Sequence, residues 1–373
     1  MRVEAFEVAG FLGNSHPVNL IFHHDLNVLT GKNGAGKTSL LKLMWCIMSG
    51  NIVEALREVD FSKAILTTDL YKCTVVRLSR LTCRVELVVG KKSYSFEDAH
   101  DEDGDVFQNA EDGAAEHLVS LGSSVFFPTF RRIEGGFTMG NPQRSPGILA
   151  RRAVKPGAVE QALSDLSAKL SNGSHRFIAA ISTVDIVDLL QKTYTDLSEK
   201  YNELQSSMSK SIVDVIKNYQ KTGVANEEDQ TAEQLLGSIR AQIESVELER
   251  QSIMKPIEEV QKVVNGLFNH KGIKLGKLSF GEAAESISSE LLSAGEKQML
   301  SFVSYNGLVR DSAIFIDEPE LSLHVDWQRR LFSTLERQAV DNQFIIATHS
   351  PFIYSKYPDK EVIIGTDRGD AGS

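Results

Sequence analysis

The chain has 373 residues, of which 42% are hydrophobic and 24% are charged, and its formal net charge is −10. This length predicts one large domain with an insertion. The balance is that of an ordinary globular protein, and no apolar run approaches the ~20 residues of a membrane-spanning helix. The acidic charge argues against a surface made wholly for nucleic acid, because neutralising phosphates requires Lys and Arg.

The cysteines and the N-terminus indicate the cellular compartment. Cys46, Cys73 and Cys83 form no C-x-x-C pair, which predicts reduced thiols and neither a disulfide framework nor a metal site. The first residues include Glu4 and Glu7 and lack the charged-then-apolar pattern of an export signal. We therefore expect a cytoplasmic protein.

A glycine-rich loop near the N-terminus predicts a phosphate-binding site. Residues 31–38 fit the pattern G-x-x-x-x-G-K-[ST], between an apolar strand at 26–30 and a helix that begins near Ser39. Backbone N–H groups of such a loop surround phosphates. Lys37 would reach the β- and γ-phosphates, and Thr38 would bind Mg²⁺. The residues expected to contact the nucleotide are Asn33, Gly34, Ala35, Gly36, Lys37, Thr38 and Ser39.

Several short strands accompany this loop. The patterns at 3–8, 74–78, 84–89, 92–96 and 124–128 predict strands, and the second and third of these predict a hairpin. The acidic stretch 98–112, between the predicted strands at 92–96 and 124–128, predicts an exposed loop.

The middle of the chain has a heptad-like period. Apolar residues recur at steps of three and four from 190 to 219 and again from 236 to 267, except that Arg250 occupies one expected apolar position of the second series. A polar stretch at 222–231 separates the two series. The pattern favours an antiparallel coiled-coil hairpin whose helices extend about 50 Å each. Two ordinary helices packed on the body remain the alternative. Pro256 predicts a bend or an interruption in the second helix.

The C-terminal third adds paired acids and a histidine. Residues 313–316 predict a buried strand that ends in Asp317 and Glu318, which suit a Mg²⁺ ligand and a base that activates water, respectively. Upstream lies the motif L-S-A-G-E at 292–296, and downstream a second apolar strand ends in His349.

These motifs, in this order, resemble the ATP-binding-cassette (ABC) ATPases. The resemblance implies that Ser293 and Gly295 contact the γ-phosphate of ATP held by a second protomer, so that a homodimer or larger homo-oligomer forms. It also implies that His349 contacts the γ-phosphate in its own protomer. The runs D-E-P-E-L-S-L-H at 317–324 and T-H-S-P at 348–351 are similar to the RecF/SMC/OLD branch.

Two further segments allow more than one interpretation. Glu320 and His324 either face the partner protomer or belong to a polar helix N-terminus. The strand at 124–128 leads to the place where ABC ATPases carry a glutamine-bearing loop. No glutamine is present there, and Arg131 is our candidate for the residue that takes the place of this glutamine. The basic residues near it contact phosphate or are solvated; they are Arg132, Arg144, Arg151, Arg152 and Lys155.

The predicted fold is α/β: an ABC-type P-loop ATPase head with a mixed β-sheet and an inserted antiparallel coiled-coil helical hairpin. We expect an N-terminal lobe at 1–157, a helical insertion at 158–275 and a C-terminal lobe at 276–373. The cofactors implied are ATP and Mg²⁺.

The resemblance extends to ATPases of prokaryotic anti-phage systems of the PARIS or Septu kind. It implies a sensor or scaffold that controls a separate effector, such as a Toprim, HNH or DUF4435-type nuclease or toxin, because no Toprim domain follows His349. A RecF-like DNA-repair clamp is the alternative, and it leaves DNA binding open. A transporter subunit is disfavoured by the long helical insertion.

Overall fold

A computed structural model describes residues 1–100, 106–129, 132–133, 158–181, 183–222, 232–268, 292–338 and 340–365. The chain divides into two compact units. We call Met1–Thr183 with Ser289–Ser373 the head, and Val184–Ser288 the helical unit. Within the described residues the head carries two six-stranded sheets. The predicted α/β head is confirmed, and one of these sheets is antiparallel and the other parallel, while β8 pairs with β9 and β11 with β13 in two small sheets.

The strands and helices follow in chain order. The strands are β1 (Val3–Ala9), β2 (Val18–Ile21), β3 (Leu26–Thr30), β4 (Lys63–Thr68), β5 (Tyr71–Arg77), β6 (Cys83–Val89), β7 (Lys92–Phe96), β8 (Ala99–His100), β9 (Val106–Gln108), β10 (Ser124–Phe127), β11 (Arg132–Ile133), β12 (His175–Phe177), β13 (Ala180–Ile181), β14 (Ala313–Asp317), β15 (Gln343–Ala347) and β16 (Glu361–Ile363). The helices are α1 (Lys37–Met48), α2 (Ile52–Glu58), α3 (Ala110–Leu118), α4 (Ala158–Leu170), α5 (Thr183–Thr222), α6 (Ala232–Phe268), α7 (Ala294–Leu308), α8 (Val325–Glu336) and α9 (Pro351–Tyr354).

The parallel sheet has the order β12-β10-β14-β15-β3-β16. Every residue of β3, β10, β14 and β15 is buried, as expected for central parallel strands that are covered on both faces. Because these strands are parallel, the loops after β3, β10, β14 and β15 all leave from one edge, and ligands of open α/β sheets bind at this edge.

The second sheet is antiparallel and has the order β2-β1-β4-β5-β6-β7. Its central strands alternate between buried and exposed residues, so one face covers the core. Helix α1 packs against β4 of this sheet and against β10, β14 and β15 of the parallel sheet. This position explains why its residues are buried nearly all round, with Trp45 stacked on Phe126 at 5.5 Å between ring centroids.

A buried glutamine ties the two sheets together. The Gln343 side chain accepts a hydrogen bond from the Val3 N–H at 2.7 Å and donates to the Val3 carbonyl at 2.7 Å. It also donates to the His23 carbonyl at 2.8 Å. The side chain therefore links β15 of the parallel sheet to β1 of the antiparallel sheet through buried backbone groups.

The boundary between the units differs from the predicted one. Helix α4 packs against β12 and β13, and the Ser167 and Ser171 hydroxyls accept the N–H groups of Ala179 and Phe177 at 3.0 and 2.9 Å. These contacts make α4 part of the head. The helical unit begins at Val184 instead of 158 and ends at Ser288 instead of 275.

The helical unit contains both long helices, α5 and α6. Ile186 and Leu190 in α5, and Ile257, Val260 and Val264 in α6, are buried. The pairing of the two helices as a coiled coil stays a prediction. Helix α6 continues through Pro256, so of the two expected outcomes the interruption is wrong and the bend stays a prediction.

The acidic stretch at 98–112 is only partly a loop. The Asp98 carboxylate accepts the Ala110 N–H at 2.9 Å at the start of α3, and Glu111 in that helix is buried. The expected exposed loop is wrong for these residues, because a carboxylate stabilises a helix N-terminus. None of the described helices combines the length and the apolar character needed to cross a bilayer.

Candidate functional site

The carboxyl edge of the parallel sheet gathers the polar residues predicted from the motifs. Lys37 and Thr38 begin α1, directly after the glycine-rich loop that follows β3, and β14 ends at Asp317, with Glu318 next. The residues after β15 are Thr348 and His349. The order of the strands, with β15 between β14 and β3, sets these groups side by side.

The glycine-rich loop folds as its sequence requires. Gly36, at the N-cap of α1, has φ 88, which is a left-handed conformation that favours glycine. A Cβ at Gly31 would lie 2.5 Å from the Ile364 carbonyl oxygen, so the chain passes too close to β16 for any side chain. The Lys37 ammonium is buried and donates to the Gly31 and Lys32 carbonyls at 2.9 and 3.2 Å.

Asp317 is the acid that the surrounding hydroxyls contact. It is fully buried, and its Oδ1 accepts a hydrogen bond from the Thr38 hydroxyl at 3.1 Å. Its Oδ2 accepts the hydroxyl of Thr129, just after β10. Motif analysis did not single out Thr129. The position of the expected glutamine-bearing loop was the only signal for it.

Glu318 occupies a strained backbone position. Its φ is 46, which is rare for a residue with a side chain, and its N–H donates to the Ala347 carbonyl at 2.8 Å. Burial raises the pKa of the Glu318 carboxyl, the charges of Asp317 and Glu320 raise it further, and His349 and Lys37 oppose this. Such a pKa suits a base that takes a proton from water.

The ammonium of Lys37 experiences the matching environment. Burial lowers its pKa, while the carboxylates of Glu318, Asp317 and Glu320 act in the opposite direction. Three acids thus surround the Lys37 ammonium, and a cation bound among them would balance their charge.

Glu320 lies within its own chain's site. Its carboxylate accepts the Thr348 hydroxyl at 2.8 Å and the His349 N–H at 2.7 Å. His324 is the N-cap of α8, and its Nδ1 accepts the Asp326 N–H at 3.4 Å. His324 thus begins α8, and Glu320 bonds to the two residues that follow β15. The contact of either residue with a partner protomer stays a prediction.

The L-S-A-G-E motif begins helix α7. Ser293 and Glu296 form a reciprocal capping box, in which the Ser293 N–H donates to Glu296 Oε2 at 2.8 Å and the Glu296 N–H donates to the Ser293 hydroxyl at 3.4 Å. Ser293 is exposed at the positive end of this helix. The Gln298 side chain donates to the Pro319 carbonyl at 3.1 Å.

Gly295 has a structural reason to be glycine. A Cβ there would lie 2.4 Å from the Ser322 carbonyl oxygen, in the segment that follows Glu318. Helix α7, which begins with the L-S-A-G-E signature motif, therefore packs directly on the backbone of that segment, within one chain.

Arg131 lies outside the described residues, as do Arg144, Arg151, Arg152 and Lys155, and the side chain of Arg132 is not described. Their roles stay predictions.

The donor set around Asp317 fits Mg²⁺. One carboxylate and the hydroxyls of Thr38 and Thr129 are oxygen donors, and Mg²⁺ in nucleotide sites is held by one or two carboxylates together with phosphates and water. Across the described part of the chain, no group of three or more His, Cys, Asp or Glu side chains could hold a metal ion on its own. The site therefore suits an ion that arrives with a phosphate ligand.

Comparisons with known proteins found one family, a local match to one relative and several solved structures. A family model described as "AAA domain, putative AbiEii toxin, Type IV TA system" matches residues 190–355. A segment of 79 residues is 35% identical to the "Retron Ec83 probable ATPase" of Escherichia coli. This segment covers 18% of the chain and only 15% of that relative.

Two solved structures are remotely similar. One is an Smc head domain with an extended coiled coil, bound to the C-terminal domain of ScpA and derived from Pyrococcus furiosus. It is 12% identical, covers 95% of this chain and 91% of its own, and has a TM-score of 0.37. The SMC head domain from Thermotoga maritima is 12% identical, with coverages of 95% and 92% and a TM-score of 0.36.

The close approach at Gly295 generates a prediction about stability. We expect Gly295→Ala to lower the free energy of unfolding by about 1–3 kcal/mol, because the new methyl group must displace the Ser322 backbone. Gly237→Ala in α6 is the control. Nothing lies within 4 Å of its added Cβ, and Ala favours a helix, so this change should be neutral or stabilising by up to about 1 kcal/mol.

Urea unfolding of both variants without nucleotide measures this difference. Equal stabilities for Gly295→Ala and the wild type would show that the segment after Glu318 moves freely away from α7.

Proposed function

We propose that this chain is an ABC-type ATPase that binds ATP at the carboxyl edge of the parallel sheet and hydrolyses it. The observation that carries this proposal is the convergence of Lys37, Thr38, Asp317, Glu318 and the Thr348–His349 pair at one edge. A strand, a glycine-rich loop and a helix N-terminus form a cradle for phosphates there.

Mg²⁺ would be held by Thr38 and Asp317, with Thr129 beside them. When bound, the ion neutralises charge on the phosphates as it develops during transfer. Asp317 is already oriented for this task by two hydroxyl donors.

The other residues of the edge take separate roles in hydrolysis. Lys37, now bonded to loop carbonyls, would exchange these partners for the β- and γ-phosphate oxygens. Glu318 would orient the attacking water and accept its proton, and His349 would contact the γ-phosphate. The raised pKa of Glu318 places its basicity nearer to neutral pH than that of an ordinary glutamate.

The signature serine would complete the site of a second copy. Ser293 is exposed at the start of α7, where its hydroxyl and the helix N-terminus can meet a phosphate of another protomer. A homodimer with two composite sites follows from this role. Asn33, Gly34, Ala35, Gly36 and Ser39 would complete the contacts of the loop with the nucleotide.

The division of roles predicts opposite defects. Glu318→Gln should lower the hydrolysis rate by about 100-fold or more and retain ATP, because the amide keeps the shape but cannot accept a proton. Lys37→Ala should weaken ATP binding itself. Single-turnover hydrolysis and equilibrium binding of a fluorescent ATP analogue measure the two effects. Hydrolysis by Glu318→Gln at the wild-type rate would contradict the assignment of Glu318 as the base.

Mixed dimers test whether the site is shared. Lys37→Ala mixed with Ser293→Asn should recover up to about half of the wild-type activity per heterodimer if one site functions alone, because one composite site is then intact. Asn retains a capping side chain but removes the hydroxyl. Lys37→Ala mixed with Glu318→Gln is the matched control and should recover nothing, since each site then carries one defect.

Native mass spectrometry must first demonstrate the heterodimers. Recovery in both mixtures would contradict a site completed by Ser293 of the partner. Recovery in neither would show either that the site is not shared in this way or that both sites must act together. Gly295 is unsuitable for this test, because its substitution disturbs its own chain.

We place this ATPase in anti-phage defence, where it would sense infection and control a separate nuclease or toxin. The local similarity to a retron ATPase and the match to the AbiEii-type model support this role. The trigger and the effector would be separate molecules, and the helical unit is our candidate for contact with them.

Co-expression from the native locus tests the role. We expect a neighbouring gene product to co-purify with the chain, and we expect nuclease or toxic activity only when that product is present. Purified chain alone, with Mg²⁺ and with or without ATP, should leave DNA and RNA intact. Cleavage by the chain alone that persists through repeated purification would overturn the division of labour.

A further inference from the structure

The segment after β14 and the segment after β15 are joined by one carboxylate. Glu320 Oε1 accepts the backbone N–H of His349 at 2.7 Å, and Oε2 accepts the Thr348 hydroxyl at 2.8 Å. The Thr348 hydroxyl oxygen also accepts the Ser350 N–H at 2.9 Å. Both oxygens of Glu320 are therefore engaged within its own chain.

A second connection reaches the other side of the histidine. The Ser350 hydroxyl donates to Gln328 Oε1 at 2.6 Å, and Gln328 Nε2 donates to the Leu323 carbonyl at 2.8 Å. The residues before and after His349 are thus both tied to the segment that starts at Glu318.

These bonds fix the backbone from which the imidazole projects. The His349 side chain is exposed, so its direction depends on the backbone that carries it. Hydrogen bonds to a charged acceptor are the stronger class of hydrogen bond, and here they attach that backbone to the residues next to Glu318.

We propose that Glu320 is a positioning residue for hydrolysis, which holds the backbone of Thr348 and His349 in register with Glu318 and touches neither ATP nor the partner protomer. This inference rests on the proposed ATPase function. Its distinguishing consequence is that a change at Glu320 alters the His349 backbone before any nucleotide is added.

The first experiment uses the nucleotide-free protein. In protein labelled with ¹⁵N-histidine, the His349 amide signal is assigned through a His349→Ala variant. Glu320→Ala should speed exchange of this amide about tenfold or more, because its acceptor is lost. Glu336→Gln, which changes an exposed acid of α8, is the matched control and should leave the exchange unchanged. Unchanged exchange in Glu320→Ala would overturn the proposal.

The second experiment separates positioning from binding. Glu320→Ala should lower kcat about tenfold while KM for ATP with Mg²⁺ changes less than about threefold. Thr348→Val keeps the shape but removes both the hydroxyl donor to Glu320 and the acceptor of the Ser350 N–H, so it should also lower kcat. The double variant should lose less activity than the two single effects combined, because both changes remove the bond between Thr348 and Glu320.

The outcomes separate this inference from the proposed function. Three results would overturn the positioning role alone. The first is that the wild type hydrolyses ATP and Glu320→Ala hydrolyses it at the same rate. The others are additive effects on kcat in the double variant, and a loss of ATP binding by Glu320→Ala as large as its loss of kcat. If the wild type hydrolyses no ATP, the proposed function fails and this role fails with it. Glu320→Gln, which keeps one acceptor, replaces Glu320→Ala in both experiments if the alanine variant does not fold.

Discussion

A buried carboxylate at the end of β14 is the constraint on which the site depends. Asp317 has no exposure to solvent, and burying an unpaired charge is strongly unfavourable. The fold compensates with hydroxyls from two other segments, Thr38 after the glycine-rich loop and Thr129 after β10. One acid thus brings three elements together at one edge of the sheet, and the glycine-rich loop lies at that edge.

The segment after Glu318 transmits that arrangement to the rest of the head. Glu318 and Ser322 both have positive φ, at 46 and 71, so the chain turns sharply away from the sheet. Residues at the start of α7 contact the backbone of these turns. Gln298 donates to the Pro319 carbonyl, and Gly295 packs on the Ser322 carbonyl. Backbone strain of this kind persists only where neighbouring contacts hold it.

The same segment connects the residues that we propose act in hydrolysis. Its N-terminal end carries Glu318, the proposed base for water activation, and the Glu320 side chain binds Thr348 and His349 after β15. Helix α7, which begins with the signature serine, packs on its outer side. A displacement of α7 by a partner's nucleotide would therefore act on Glu318 and His349 through one short stretch of backbone.

Local pattern was sufficient to predict most of the strands and the helix after the glycine-rich loop. Strand β3 and β7 begin and end where the sequence indicated, and the loop between strand and helix has a fixed spacing that follows from its chemistry. The motif acids also lie where a parallel strand must deliver them. These features depend on neighbours in sequence, so the sequence alone contains them.

The tertiary structure decided what depends on distant partners. Thr129 belongs to no motif and gains its place only because β10 pairs with β14. Helix α4 joins the head because its serines meet β12 and the residues beside it, and no periodicity in α4 encodes that choice. The acceptor role of Glu320 exists because β15 lies between β14 and β3, a strand order that local sequence does not encode. Sequence by itself determined which groups this chain carries to the edge of a sheet, and strand order determined which of them touch.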